Sequence, residues 1–222
     1  MTSPHPDYYY PDYRSTPARA PRLARVPLGG ALLPQVPETP AAQFTTTTAD
    51  LTKHGQAAPL GERIIVSGRV LDGDGKPVRR SLVEVWQCNA AGRYAHAKDT
   101  HDAPLDPNFP GFGRALTDEE GWYRFVSIKP GAYPWGNHTN AWRPAHIHFS
   151  LFGNAYARRL ITQMYFPGDP LLEWDPIYHS VPEFARSRLI STFDLGLTVE
   201  GTALGYRFDI ILGSRRGTPT GL

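Results

Sequence analysis

Clusters of turn-forming residues interrupt this chain at intervals of roughly ten residues, a spacing typical of all-β domains. The sequence holds 22 prolines and 21 glycines among its 222 residues, and long stretches with the periodicity of an amphipathic helix are scarce. Between the clusters lie short runs in which apolar and polar side chains alternate, which is the period of a β-strand. We therefore expect an all-β fold, a β-sandwich of mostly antiparallel strands with long loops.

The alternating runs place the strands. We predict strands at residues 63–71, 82–87, 122–128, 142–149, 159–166 and 205–212. The first two flank a dense turn cluster at residues 72–77 and are predicted to pair as a hairpin. Residues 95–114 are predicted to be loop only, and a short helix is predicted within residues 182–193.

The first part of the chain differs in composition from the rest. Residues 1–37 are rich in proline, tyrosine and arginine, and residues 38–59 are small and polar. Such a segment cannot build a core of its own. We expect residues 1–60 to form an extended N-terminal arm that makes subunit contacts, and residues 61–222 to form the β-sandwich domain.

Composition also excludes several classes of function. The net charge is only +2 with no basic face, which argues against nucleic-acid binding. No run approaches the roughly 18 apolar residues that span a bilayer, and the polar N-terminus lacks the apolar segment of a signal peptide. The single cysteine, Cys88, is expected to be a buried apolar residue. A cytoplasmic protein is the expectation.

One predicted strand carries two histidines with the spacing of a metal site. In the run Trp142–Phe149, His146 and His148 point to one face and Ile147 and Phe149 to the other, into a core. Pro144 lies near the start of the run, where a missing N–H disturbs a sheet least. Two imidazoles fixed on one stiff element make half of a metal site.

The residues that complete such a site are not given by spacing alone. The other histidines lie in predicted loops or tails, which leaves tyrosine as the alternative ligand, with Tyr94 and Tyr133 as candidates. Because a phenol has an unperturbed pKa of about 10, only a strongly Lewis-acidic cation such as Fe(III) favours phenolate binding. Ordinary buried histidines and core tyrosines are the alternative interpretation.

Six short motifs occur together in one order along the chain. They are Gly61–Val66, Glu84–Gln87, Gly92–Tyr94, Ala103–Phe109, Tyr133–Trp135 and Trp142–Phe149. Jointly they resemble the intradiol ring-cleavage dioxygenases, over about residues 8 to 215. Within that family the resemblance is greatest to the β subunit of the branch that acts on protocatechuate (3,4-dihydroxybenzoate), in the β-ketoadipate pathway of aromatic hydrocarbon catabolism.

The resemblance implies a ligand set for one non-haem Fe(III): Tyr94, Tyr133, His146 and His148. In the family, the phenolate at the position of Tyr133 leaves the iron when the diol binds, and the one at Tyr94 stays. Family members of this branch have two related subunits, of which only β carries the full set. An α-subunit partner in a hetero-oligomer is therefore implied.

The same resemblance implies residues that contact the substrate. Arg143 is expected beside the electron-rich diol, where a permanent cation stabilises it. Trp135 is expected in the pocket wall, Gln163 among the hydrogen-bonding groups around the site, and Tyr13 at the substrate carboxylate.

The expected reaction is the cleavage of protocatechuate by O2 between its hydroxyl-bearing carbons, giving 3-carboxy-cis,cis-muconate. Two alternatives stay open. One is the same chemistry on catechol or hydroxyquinol, and the other is a metal-free binding module similar to transthyretin.

Overall fold

A computed structural model describes residues 3–7, 12, 49–136, 139, 141–152, 160–213 and 215–220. Its strands are β1 (Arg63–Leu71), β2 (Leu82–Trp86), β3 (Phe112–Leu116), β4 (Trp122–Ile128), β5 (Tyr133–Pro134), β6 (Trp142–Arg143), β7 (His146–Phe152), β8 (Leu160–Tyr165), β9 (Thr192–Phe193), β10 (Leu204–Arg207) and β11 (Ile210–Ile211). Helices α1 (Pro176–Ser180) and α2 (Glu183–Arg186) lie between the 3₁₀ turns Pro170–Trp174 and Ser187–Leu189.

The first sheet is built around β1. Strand β4 pairs with β1 in antiparallel fashion along one edge. Strands β10 and β11 pair with β1 in parallel along the other edge, and β9 extends the sheet beyond β10. This central place explains why β1 is buried along nearly its whole length.

The second sheet is antiparallel throughout and has the order β3-β2-β7-β8. Strand β7 is therefore internal to the sheet, with β2 on one side and β8 on the other. The register sets His148 opposite Trp86 on β2 and opposite Gln163 on β8. A separate two-stranded ribbon of β5 and β6 places Tyr133 opposite Arg143.

The two sheets pack face to face around one apolar core. Val66 of β1 and Phe125 of β4 meet Val85 of β2 and Phe149 of β7 in a single buried cluster. The ring of Phe149 packs edge-on against Phe125 at 5.8 Å between centroids. The all-β sandwich predicted from the alternating runs is confirmed.

The predicted hairpin is wrong, because β1 and β2 lie in different sheets. The turn at residues 72–77 carries the chain from one sheet to the other, and the partner of β1 is β4. Strand β2 is buried at alternate positions and β1 along nearly its whole length, and neither pattern identifies the strand with which it pairs.

Two smaller differences concern the strands. Strand β3 begins at Phe112, inside the segment predicted as loop. The last predicted strand is split into β10 and β11, because the Asp209 side chain accepts a hydrogen bond from the N–H of Arg69 in β1 at 2.8 Å. The short helix predicted within residues 182–193 is confirmed as Glu183–Arg186, followed by a 3₁₀ turn.

Part of the segment before residue 61 is packed on the sandwich. Asp50 forms a bridge with Val126, and Leu51 is buried in the core cluster. Residues 13–48 lie outside the described residues, and so does Tyr13. The division into an arm and a catalytic domain stays a prediction.

Two simpler observations complete the description. Cys88 is buried, as predicted. Within the described ranges, no helix has the length and apolar character needed to cross a membrane.

Candidate functional site

Strand β7 separates two environments by its alternation. Ile147 and Phe149 are fully buried in the core, whereas His146 and His148 point out of the opposite face of the sheet, with ring centroids 4.8 Å apart. Trp86 stacks on His148 with ring planes nearly parallel, at 4.8 Å between centroids. The predicted orientation of this strand is confirmed, and both imidazoles are held on a rigid, internal strand.

A tight turn sets the position of Tyr94. The side chain of Asn89 accepts hydrogen bonds from the N–H groups of Ala91 and Arg93, and the N–H of Tyr94 donates to Asp99 at 2.7 Å. Gly92 in this turn has a φ of +80°, a conformation that favours glycine. A Cβ atom there would collide with the carbonyl oxygen of Ala132.

That close approach brings the turn of Tyr94 against the segment that leads into Tyr133. The two phenol rings lie edge to face, 5.5 Å apart between centroids. The hydroxyl of Tyr94 lies 3.1 Å from Nε2 of His148, and that of Tyr133 lies 3.5 Å from Nε2 of His146. The structure therefore brings the four residues predicted as ligands into one cluster.

Both histidines are held neutral. Burial and the neighbouring Arg143 cation lower the pKa of His148 to about 3, and burial, Arg143 and His148 together lower the pKa of His146 well below its usual range. Nδ1 of His146 donates to the carbonyl oxygen of Pro144 at 2.7 Å. Its Nε2 therefore presents a lone pair towards the cluster.

Both tyrosines are held protonated by the protein alone. Burial and the neighbouring Tyr133 raise the pKa of Tyr94 well above its usual value. Burial also raises the pKa of Tyr133, although Arg143 opposes the shift. A bound cation inverts this balance by stabilising the phenolate, so the set of two imidazoles and two phenols fits a strongly Lewis-acidic metal ion such as Fe(III).

The tyrosines are essential to any such site. Among the described residues, no group of three or more histidines, cysteines or carboxylates is placed to hold a metal ion. The two histidines therefore need the phenol oxygens of Tyr94 and Tyr133 to complete a four-ligand set.

Arg143 lies beside the cluster and is almost fully buried, with 2% of its surface exposed. Its Nη1 donates to Nε2 of His146 at 3.0 Å. Its Nη2 donates to Gln163 at 2.7 Å and to Asp175 at 2.8 Å. The guanidinium also lies over the ring of Trp135, 5.4 Å from its centroid. Arg143, Trp135 and Gln163 are thus all brought to the site.

Two further residues of this network were not predicted from the sequence. Tyr165 accepts a hydrogen bond from Arg143 at 3.0 Å, and Asp175 forms an ion pair with it. Tyr165 lies two residues after Gln163 on one strand, so the alternation of side chains could have placed both on the same face. For Asp175, the only local signal is a capping residue before Pro176, which does not indicate its contact with an arginine 32 positions away.

Comparison with known proteins shows the family to which the chain belongs. A family model described as "Dioxygenase" matches residues 37–214. Over 218 residues the chain is 62% identical to the protocatechuate 3,4-dioxygenase beta chain of Burkholderia cepacia, an alignment that covers 97% of this chain and 93% of that one. The chain belongs to the intradiol dioxygenase family.

Two further matches show the range of this dioxygenase family. The protocatechuate 3,4-dioxygenase alpha chain of Burkholderia cepacia is 29% identical over 153 residues, covering 68% of this chain and 72% of that one. The crystal structure of 3-chlorocatechol 1,2-dioxygenase from Rhodococcus opacus 1CP superposes with a TM-score of 0.60 at 25% identity, covering 76% of this chain and 66% of that one. The dioxygenase chain is therefore similar to both chains of a two-chain enzyme, and far more similar to its beta chain.

Proposed function

We propose that this chain is the β subunit of a protocatechuate 3,4-dioxygenase and cleaves protocatechuate with O2 between the two hydroxyl-bearing carbons, giving 3-carboxy-cis,cis-muconate. The observation that carries the proposal is the convergence of two phenol oxygens and two imidazole nitrogens beside a buried arginine. The 62% identity to a chain of that name over nearly the full length supports the choice of substrate.

Tyr94, Tyr133, His146 and His148 would hold one non-haem Fe(III) in this scheme. Two phenolates cancel two of the three positive charges of the ion, which lowers the cost of burying it. When bound, Fe(III) supplies a Lewis acid that chelates the diol as a dianion and activates it towards O2.

Tyr133 is proposed as the phenolate that would accept a proton from the incoming diol. It lies in the two-residue strand β5 and is partly buried, whereas His146 is fully buried. Arg143, its register partner, lowers the pKa of the phenol against the effect of burial. The cation therefore stabilises the charged phenolate form of Tyr133, which is the form that can accept a proton.

Arg143 is proposed to stabilise the negative charge of the bound diol. Its Nη1 donates to the same Nε2 lone pair of His146 that would bind the metal. One lone pair cannot serve both, so metal binding frees Nη1 to donate to the substrate. Trp135 and Gln163 would line the same side of the pocket, and Tyr13 would reach the substrate carboxylate.

An α subunit is the proposed partner in a hetero-oligomer. The Burkholderia relative is named a beta chain, and a matching alpha chain from the same organism is also similar to this one. The small aromatic diol and O2 are the other binding partners proposed.

The test is co-expression of the chain with an α-chain candidate, followed by oxygen uptake with protocatechuate, catechol and hydroxyquinol in parallel. Uptake with protocatechuate and formation of the carboxy-muconate are expected. Faster turnover of catechol or hydroxyquinol would identify that diol, in place of protocatechuate, as the substrate. Tyrosinate bound to Fe(III) absorbs visible light, so a folded but colourless complex that is inactive on all three diols would refute the proposed function.

A further inference from the structure

Asp175 is the least exposed charged residue near the site, with 0% of its surface accessible. Both of its carboxylate oxygens are used. Oδ1 accepts from the N–H of Ile177 at 3.0 Å, as the N-cap of α1. Oδ2 accepts from Nη2 of Arg143 at 2.8 Å and from the hydroxyl of Tyr165 at 2.9 Å. The carboxylate thus links a helix start to the arginine of the site.

The guanidinium of Arg143 is oriented by where its two terminal nitrogens donate. Nη2 is directed at Asp175, Tyr165 and Gln163. Nη1 is left facing His146. The two N–H groups of Nη2 share three acceptors at 2.7 to 3.0 Å, so the planar guanidinium has little rotational freedom, and the position of Nη2 fixes the direction of Nη1.

The carboxylate of Asp175 also compensates for the burial of the positive charge of Arg143. A cation that is 2% exposed needs a paired, hydrogen-bonded counter-charge. Asp175 provides it, at 2.8 Å and with both side chains out of solvent. Tyr165 and Gln163 add neutral acceptors but no charge.

On the footing of the proposed ring-cleavage function, we infer that Asp175 is a positioning residue for that reaction: its carboxylate, with the Tyr165 hydroxyl, holds the Arg143 guanidinium with Nη1 facing the metal ligands. Among the described residues, the side chain of Asp175 hydrogen-bonds Arg143, Tyr165 and Ile177 and none of the proposed ligands, so we infer that it acts through Arg143. The cap of α1 uses only Oδ1, and a capping role alone does not account for the bonds of Oδ2.

The direct test is Asp175→Asn in the iron-loaded αβ complex. The amide keeps one acceptor for the helix cap but removes the charge and presents a donor to Arg143. We expect kcat for protocatechuate to fall by about 10- to 100-fold, as for outer-shell partners of metal sites. KM is expected to change less than about threefold, and iron stoichiometry to stay normal, because no ligand is altered.

Asp194→Asn is the matched control. Asp194 also uses one oxygen for backbone N–H groups, of Gly196 and Leu197, and the other for an arginine, Arg207, at 2.9 Å. This pair is partly exposed and lies on β10 and the loop before it, away from the proposed ligands. The control is expected to leave kcat within about twofold. Equal kcat in both variants would overturn the inference.

A double variant separates positioning from general loss of structure. If Asp175 acts through Arg143, adding Asp175→Asn to Arg143→Gln lowers kcat no further than about twofold, because the positioned group is already gone. Multiplication of the two single losses would contradict the inference. Thermal unfolding of the metal-free proteins provides a second readout, in which the drop in Tm for the double variant is expected to be smaller than the sum of the single drops.

Tyr165→Phe covers the case in which Asp175→Asn does not fold. It keeps the carboxylate and removes one hydroxyl that bonds both Arg143 and Asp175. A loss in kcat of about three- to tenfold with unchanged KM supports the positioning role, and unchanged kcat overturns it. A wild-type complex without iron or ring cleavage would instead refute the proposed function, so the two failures are distinguishable.

Discussion

The two faces of β7 carry opposite kinds of chemistry on one strand. Ile147 and Phe149 enter a core in which any well-packed apolar group serves. His146 and His148 enter a cluster in which their Nε2 atoms face side chains from other parts of the chain, Tyr94 being 54 residues from His148. The apolar face thus determines whether the sandwich forms, and the polar face determines what it does. Substitutions on the two faces should therefore separate stability from function.

The largest effect is expected on the polar face, from His148→Ala. Removing one of the proposed ligands should abolish iron binding, a larger loss than the roughly 10- to 100-fold cost of outer-shell changes. The protein should still fold, because the core face is untouched. Metal analysis after gel filtration measures this. His96→Ala, at an exposed histidine, is the control and should retain iron. Normal iron content in His148→Ala would remove the residue from the ligand set.

Phe149→Ala is the counterpart on the apolar face. The side chain is fully buried among aromatic rings, so its truncation should lower the free energy of unfolding by about 3–5 kcal/mol. The iron content of the folded fraction should stay normal. Chemical denaturation followed by metal analysis of the folded protein checks both. Loss of iron with stability unchanged would show that the two faces are not separable.

Tyr133→Phe sharpens the division within the polar face. Iron should still be held, because Tyr133 is the ligand proposed to exchange with the diol, whereas His148 is proposed to stay bound throughout. The visible charge-transfer band of tyrosinate bound to Fe(III) should shift, and kcat should fall by about 100-fold because a proton acceptor is lost. Tyr123→Phe is a control on a core tyrosine whose hydroxyl bonds the carbonyl of Phe208, and it should affect stability without moving the band. Unchanged turnover in Tyr133→Phe would rule out the exchange of this ligand.

Arg143→Lys should have the smallest effect of the four, a loss of about tenfold in kcat, or about 1.4 kcal/mol. A lysine keeps the charge but cannot donate from a planar fork to several fixed acceptors. Arg207→Lys, in the partly exposed pair with Asp194, is the control and should turn over normally. Steady-state kinetics with protocatechuate decides, and a near-normal kcat in Arg143→Lys would show that charge alone suffices.

The same contrast explains what the sequence could predict about the fold. Strands β1, β4 and β7 were found because alternation is local, and the faces of β7 followed from parity alone. The pairing of β1 with β2 was predicted wrongly because pairing is set by the packing of two sheets, to which the turn at residues 72–77 contributes nothing specific.

The site divides in a similar way. His146 and His148 were indicated by spacing. The ordered motifs indicated Tyr94, Tyr133, Arg143 and Trp135, and the family resemblance indicated Gln163. Asp175 was missed because its role depends on a contact between the segment after β8 and Arg143 of β6, which no periodicity encodes. A buried ion pair between residues 32 positions apart is visible only in three dimensions.

The most direct measurement of the central claim is anomalous diffraction at the iron edge from crystals of the αβ complex. The account predicts one iron peak within bonding distance of the hydroxyl oxygens of Tyr94 and Tyr133 and of Nε2 of His146 and His148. A well-ordered complex that binds no iron between these four residues, or binds it elsewhere, would contradict the account.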